Sequence, residues 1–290
     1  MTEQKLAVVT GGAGFIGSHL CERLVKEGYK VISLDNYFTG SKDNHVAGVE
    51  YREGHTKDIA KLIPEKPDII YHLGEYARTA VALDEPDTVL DLNTIGTIGV
   101  LEYWRTHGCK LVYAGSSTVK ANPREDGVEG RDLSPYTWTK AANTDLVRNY
   151  SRWYNLPYAT VYFFNVYGPR ERAGKYGTVV EIFRQNLVNK VPHTVYSPGT
   201  QTRTYTHVAD TVNALILVGD KGQGDDFGIC SSDMVGTLAL AQMFGGEIAM
   251  KPARSTSRPS TPVNCSRIEE LGWKQEYFLK DYVDEVKSQK

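Results

Sequence analysis

Five short apolar runs punctuate the first 165 positions: Leu6–Thr10, Lys30–Asn36, Asp68–Gly74, Lys110–Ser116 and Tyr158–Asn165. They are nearly continuous rather than alternating, which is how strands read when helices cover both faces of a parallel sheet. Between them, apolar positions recur at helical spacing over Phe15–Glu27 (closed by Gly28), a short stretch Asp58–Ile63, Thr88–Thr106 and Tyr136–Tyr154. Strand and helix in repeated alternation predict an α/β chain, a doubly wound parallel sheet with right-handed crossovers. Beyond Asn165 the rhythm loosens. Helices are expected over Thr178–Asn189, Val208–Val218 and Thr237–Phe244, with strands near Thr194–Tyr196 and over Asp226–Cys230. A Ser/Thr/Arg/Pro-rich stretch, Pro252–Pro262, and a charged tail follow. Residues 1–165 are expected to form the sheet domain, with 208–230 returning to it. Residues 166–207 and 231–290 are expected to form a smaller lobe, packed rigidly against the sheet across a cleft.

Composition narrows the function classes. The 290 residues are 41% hydrophobic and 23% charged, ordinary for a globular chain and unlike a disordered one. A formal net charge of -2 makes no electrostatic case for nucleic acid or a membrane surface, so phosphate recognition must be local. No apolar run approaches the roughly 18 residues that span a bilayer, and the first residues do not read as a signal peptide. Cys21, Cys109, Cys230 and Cys265 lack metal-ligand spacing, so reduced packing thiols in a cytoplasmic protein are expected.

Gly11-Gly12-Ala13-Gly14-Phe15-Ile16-Gly17 follows the first strand and opens the first helix, and Asp35 closes the next strand. In that setting the glycines form a dinucleotide fingerprint. They let the backbone approach a pyrophosphate at the helix N-terminus, where free N–H groups and the helix dipole favour negative charge. Asp35 suits ribose hydroxyls and repels a 2′-phosphate, and Asn36, Tyr37 and Phe38 include no arginine to hold one. NAD is therefore expected rather than NADP.

Ser116 ends the strand Lys110–Ser116, and Tyr136 and Lys140 lie four apart on one helix face. An unperturbed tyrosine, with a pKa of ~10, is a poor base near neutrality. A nearby ammonium and a positively charged nicotinamide ring favour the phenolate. Ser116 would bond the same substrate hydroxyl that Tyr136 deprotonates.

Together these residues resemble the extended short-chain dehydrogenase/reductase family, the group of NAD-dependent nucleotide-sugar epimerases and dehydratases. The resemblance runs from Gly11 to Trp273. It implies a Rossmann-type sheet with a smaller C-terminal substrate lobe, and a cofactor held by Gly11, Gly14, Phe15, Ile16, Gly17, Asp35, Asn36, Thr56, Leu73, Gly74 and Asn93. Ser116, Tyr136 and Lys140 match its catalytic residues and border the cofactor. Its diphosphate-binding asparagine matches Asn165 in Phe164-Asn165-Val166-Tyr167-Gly168-Pro169-Arg170, its arginine that reaches the nucleotide matches Arg203, and its second diphosphate-binding arginine matches Arg258. The resemblance also implies a homodimer paired through helices matching Thr88–Thr106 and Tyr136–Tyr154. Tyr103, Trp104, Tyr150 and Trp153 are candidates for its apolar surface and equally for ordinary core.

Three departures refine the expectation. Where dehydratases of the family carry an acid pair after the catalytic hydroxyl, this chain has Ser117 and Thr118, neither able to move a proton as a carboxylate does. That argues against dehydration and the related decarboxylation. His55 and Thr56, with Asp58 beyond, replace the usual adenine-side residues. Glu75-Tyr76-Ala77-Arg78 replaces small residues after the strand Asp68–Gly74, and Glu75 and Arg78 are candidates for shaping the sugar pocket. The expected activity is a nucleotide-sugar 4-epimerase, by transient oxidation at sugar C4 and hydride return to the opposite face. The alternative is a C4 dehydrogenase or reductase without inversion, with a 4,6-dehydratase or a catalytically silent NAD-binding protein behind both.

Overall fold

The computed structural model describes residues 4–79, 81–120, 134–253 and 264–289. Seven parallel strands make the central sheet: β1 (Leu6–Thr10), β2 (Lys30–Asp35), β3 (Val49–Glu53), β4 (Ile69–His72), β5 (Lys110–Ser116), β6 (Tyr158–Phe163) and β7 (Gly224–Ile229). Their spatial order is β7-β6-β5-β4-β1-β2-β3. The chain winds outward from β1 in one direction and, from β4, in the other. A crevice therefore opens beyond the carboxyl ends of β1 and β4, where Thr10 and His72 stand side by side.

Successive residues of each strand feed opposite faces. Ala7 and Val9 pack with Leu20 and Leu24 of α1 (Phe15–Lys26), while Leu6 and Val8 pack on the other side. There Ile70, Leu111 and Tyr113 meet Leu101 and Trp104 of α2 (Gly96–His107) and Val147 of α3 (Pro135–Tyr154). Leu215 and Val218 of α4 (Val208–Lys221) share the α1 side. β3 was not foreseen: at the sheet edge its residues are only partly buried, so Val-Glu-Tyr-Arg-Glu carries no apolar run. The expected helix Thr88–Thr106 is instead Pro86–Val89, a wide π-type turn over Leu90–Ile95, and then α2.

Tyr103 and Trp104, candidates for a dimer surface, are core residues at 1% and 0% exposure. The Trp104 indole donates to the Cys109 carbonyl at 2.7 Å, and Tyr103 donates to the Glu65 carbonyl at 2.6 Å. Helical periodicity placed them on a face but could not say which face meets the sheet. Trp153 is 59% exposed, and Tyr150 packs partly against the same core.

The smaller lobe has its own core, in which Phe183, Leu240, Phe244 and Leu279 meet. They come from helices Val179–Asn189, Thr237–Phe244 and Leu279–Ser288, beside a parallel strand pair, His193–Tyr196 and Ile248–Lys251. The cysteine expectation is corrected in part. Cys21 and Cys109 are buried thiols, but Cys230 and Cys265 form a disulfide across 35 residues of chain. The fold brings the end of β7 against the start of the helix Ser266–Glu270, a proximity that spacing along the chain does not encode. With that pair bonded, the cysteines no longer argue for a reducing compartment. Among the described residues no helix is long and apolar enough to cross a membrane.

Truncating Trp104 to alanine would leave a void beneath α2 and an unpaired Cys109 carbonyl. The expected loss is about 3–5 kcal/mol of unfolding free energy, read as a lower urea midpoint at unchanged slope.

Candidate active site

The crevice floor is built from backbone. Gly11 leaves β1 at φ +76°, and a Cβ there would lie 2.9 Å from the Gly74 Cα beyond β4. A Cβ on Gly17 would lie 2.1 Å from the Gly11 carbonyl oxygen. Only glycine fits at both positions, so loop and helix close to van der Waals distance. Gly14 precedes α1 without a side-chain cap, and the first turn carries no acidic residue. Its N–H groups remain available to an anion. Asp35 braces the loop from the end of β2, accepting from the Ala13 N–H at 2.9 Å and the Tyr37 N–H at 2.8 Å. Burial pushes its carboxyl up, while those two N–H groups pull it back.

Gly11, Gly14, Phe15, Ile16, Gly17, Asp35, Asn36, Thr56, Leu73 and Gly74 all line this one cleft, and Tyr136 and Lys140 reach it from α3. A glycine cradle against a helix N-terminus, with an acid at the end of β2, fits a dinucleotide. His55 is not part of the lining: it accepts from the Lys57 N–H at 3.0 Å and contacts Asp91 at 3.2 Å. Asn93 also stands behind the wall. Its side chain accepts from the Tyr76 N–H at 2.6 Å and donates to the Thr139 hydroxyl at 3.0 Å, so it positions the loop after β4.

Ser134 and Pro135 start α3, Ser134 accepting from the Thr137 N–H at 3.2 Å. That start places Tyr136 in the first turn, opposite the end of β5. Its hydroxyl donates to the Ser116 Oγ at 3.1 Å. Ser116 also shares a hydrogen bond with the Thr118 hydroxyl at 2.9 Å. Ser117 follows at partial exposure. One turn on, Lys140 donates to the Ala114 carbonyl at 2.7 Å and to Glu75.

Glu75, a candidate for shaping the sugar pocket, borders the cofactor cleft with its side chain only 1% exposed. It accepts from Asn143 at 2.7 Å, from the Thr97 hydroxyl at 2.9 Å and from the Tyr113 hydroxyl at 3.3 Å, besides Lys140. Burial acts against its charge, but Lys140 and these donors hold its carboxyl below the usual range. A chain of hydrogen bonds links it to the cleft floor. The Gly74 N–H donates to Thr10 at 3.0 Å, Thr10 meets the His72 Nδ1 at 2.7 Å, and the His72 Nε2 meets Thr97 at 2.9 Å. Every group is satisfied when His72 is neutral with its proton on Nε2. Burial likewise pushes His72 down to about 4. Nothing local in the sequence marks these partners; a carboxylate where small residues were expected is the one signal that could have.

Asn165 (φ +38°) donates to the carbonyl of Thr204, the residue after Arg203 on the strand Thr202–Thr204, at 2.8 Å. Neither Asn165 nor Arg203 lines the cofactor cleft. Arg78 does line it, donating to the Tyr176 and Ala77 carbonyls and lying 3.9 Å from Glu171, which burial pushes up to about 7. Phe38, Tyr76 and Tyr176 gather beside it, with ring centroids 5.4–6.3 Å apart. The Tyr76 and Tyr176 hydroxyls converge on Glu85, each at 2.9 Å. Arg258 lies outside the described residues.

The family model for the NAD dependent epimerase/dehydratase family matches residues 7–230. The chain belongs to that family. A UDP-glucose 4-epimerase from Mycolicibacterium smegmatis is 29% identical over 294 residues, with 94% of each chain covered. UDP-glucuronic acid decarboxylase 1 from Arabidopsis thaliana is 29% identical, covering 94% of this chain and 67% of the relative. Among solved structures, a Thermotoga maritima UDP-glucose 4-epimerase with UDP-glucose superposes with a TM-score of 0.89. It is 27% identical, over 98% of this chain and 99% of that one. An NAD-dependent enzyme is thus what the fold and cleft describe, with epimerases and a decarboxylase both among its kin.

Two outcomes follow from this geometry. Gly17→Val would force the α1 start away from Gly11, and bound NAD, measured after denaturing the purified protein, is expected to be lost. His72 is neutral when folded, with a pKa near 4, but in the unfolded chain it takes its proton near 6.5. Folding stability should therefore fall as pH drops from 6.5 to 4, by up to about 3 kcal/mol from this group. Urea unfolding across that range should show the drop, and a folded His72→Gln variant should lack that component.

Proposed function

We propose that this chain is an NAD-dependent nucleotide-sugar 4-epimerase. The carrying observation is the Tyr136–Ser116 hydrogen bond at 3.1 Å, at the end of the cleft where β5 stops, followed by the uncharged Ser117 and Thr118. Tyr136 takes the proton of the sugar 4-hydroxyl, and Ser116 holds the same oxygen in line. Lys140, anchored on the Ala114 carbonyl, places an ammonium where it favours the phenolate. Bound NAD supplies the acceptor and donor of hydride at sugar C4. Inversion needs the keto sugar to turn about its diphosphate while that group stays held. Asn165 and Arg203 form one end of that hold, and Arg258 is the proposed second arginine. Arg78, already tied across the cleft to Tyr176 and Glu171, bounds the sugar side. With neither Ser117 nor Thr118 able to act as a carboxylate, the residues present suit reversible oxidation better than elimination.

We also propose a homodimer. Ile98 on α2 and Trp138 and Trp153 on α3 are 41%, 45% and 59% exposed, an apolar surface on the two helices that the family resemblance assigns to pairing. A monomer mass by light scattering would end this reading.

The test incubates the purified protein, without added cofactor, with UDP-, GDP-, dTDP- and CDP-sugars and follows each by proton NMR. A C4 epimer formed from one of them is the expected result. Tyr136→Phe should lower turnover by on the order of 10²–10⁴. Net accumulation of reduced cofactor would make the chain a C4 dehydrogenase, and loss of the carboxylate from a UDP-uronic acid would make it a decarboxylase. Either result displaces the epimerase reading.

A further inference from the structure

We propose that Glu75 is a positioning residue that fixes Lys140 and offsets its charge, and so sets the pH at which Tyr136 becomes a base. The proposal rests on the reading of Tyr136 as that base, not on which sugar is turned over.

The hydrogen bonds around Glu75 favour its ionised form, in line with the lowering that Lys140 and its donors produce against burial. Oε2 takes the Lys140 ammonium, and Oε1 takes Asn143 at 2.7 Å, Thr97 at 2.9 Å and Tyr113 at 3.3 Å. All four neighbours can donate, and the Lys140 ammonium can only donate. A carboxylate suits that shell, because the Lys140 ammonium and an Asn143 N–H both aim donors at it. The Glu75 and Lys140 side chains are nearly buried, at 1% and 5% exposure, where the pair borders the cleft.

Lys140 has three N–H bonds. One goes to Glu75 and one to the Ala114 carbonyl at 2.7 Å, which fixes the ammonium and leaves one donor for the cleft. Lys140 is also the cation on the same helix face as Tyr136. Without Glu75, its full charge would act on the phenol from a largely buried position, where charges are less screened than in bulk water. With Glu75 in place, the pair presents little net charge. The other titratable groups facing the pair are His72 from β4, neutral when folded, and Tyr113 from β5, whose ring lies 5.2 Å from the ammonium and whose phenol burial keeps protonated. From the π-type turn and the start of α2, Asn93 and Thr97 face it and carry no charge. Glu75 is thus the charge that answers Lys140. Packing alone would not call for a carboxylate on that ammonium, since the Ala114 carbonyl already anchors it.

The experiment is a pH titration of the NAD-loaded full chain without sugar, reading tyrosinate absorbance as the difference between each protein and its Tyr136→Phe counterpart. In Glu75→Gln the amide keeps the shape but not the charge. The Tyr136 midpoint should move to lower pH by about one unit, on the order of tenfold in proton concentration. In the double variant Glu75→Gln/Lys140→Met the buried pair is again neutral with no unpaired charge. Its midpoint should stay within about threefold of the parent, whereas Lys140→Met alone should move it upward. The double variant carries the test if Glu75→Gln does not fold. Coincident midpoints for the parent and Glu75→Gln would overturn the proposal. So would a double variant displaced upward as far as Lys140→Met alone. Because no sugar is present, a failure to find epimerisation leaves this titration readable.

Discussion

The active cleft depends on two backbones passing at a distance no side chain tolerates. Gly11, leaving β1, and Gly74, leaving β4, approach so closely that a Cβ on either would sit 2.9 Å from the other's backbone. This contact lies at the point where the sheet reverses its winding, between neighbouring parallel strands. A bulkier residue at either position would push the glycine loop off the sheet. The α1 N-terminus and the Asp35 brace on Ala13 would move with it.

The same junction organises the chemistry. Thr10, the last residue of β1, accepts from the Gly74 N–H and bonds His72, which passes the connection through Thr97 to Glu75 and so to Lys140. The cleft floor and Lys140 are thereby tied through a chain of buried groups. Such a network is rigid when complete, because each donor left unpaired in a dry site is costly. Asn165, Arg203 and Arg78, by contrast, are held on loops and short strands outside the central sheet. This division suits a family in which one redox half serves several sugar chemistries, as the epimerase and decarboxylase relatives illustrate.

Much of the fold could be read from the chain because its cues are local. Continuous apolar runs marked the strands buried on both faces, and a strand, a glycine loop and a helix in succession marked the dinucleotide cleft. Spacing of four on a helix put Tyr136 and Lys140 on one face, and a strand-end serine supplied Ser116. Edge strand β3 escaped because half-solvated residues leave no apolar signature.

What only the tertiary structure decided is which side chains meet across long stretches of chain. Glu75 reads as a loop acid until Asn143 and Lys140 of α3, Tyr113 of β5 and Thr97 of α2 close around it. Asn93 reads as a cofactor ligand until the loop after β4 folds over it. Trp104 reads as surface or core with equal ease, and Cys230 and Cys265 as separate thiols until β7 meets the helix at Ser266. The sequence by itself determined the periodicities, the glycines and the order of chemical groups, since these act over a few residues. Burial, charge pairing and the disulfide were decided by the closing of the fold, since desolvation and proximity are properties of the surroundings and not of the residue.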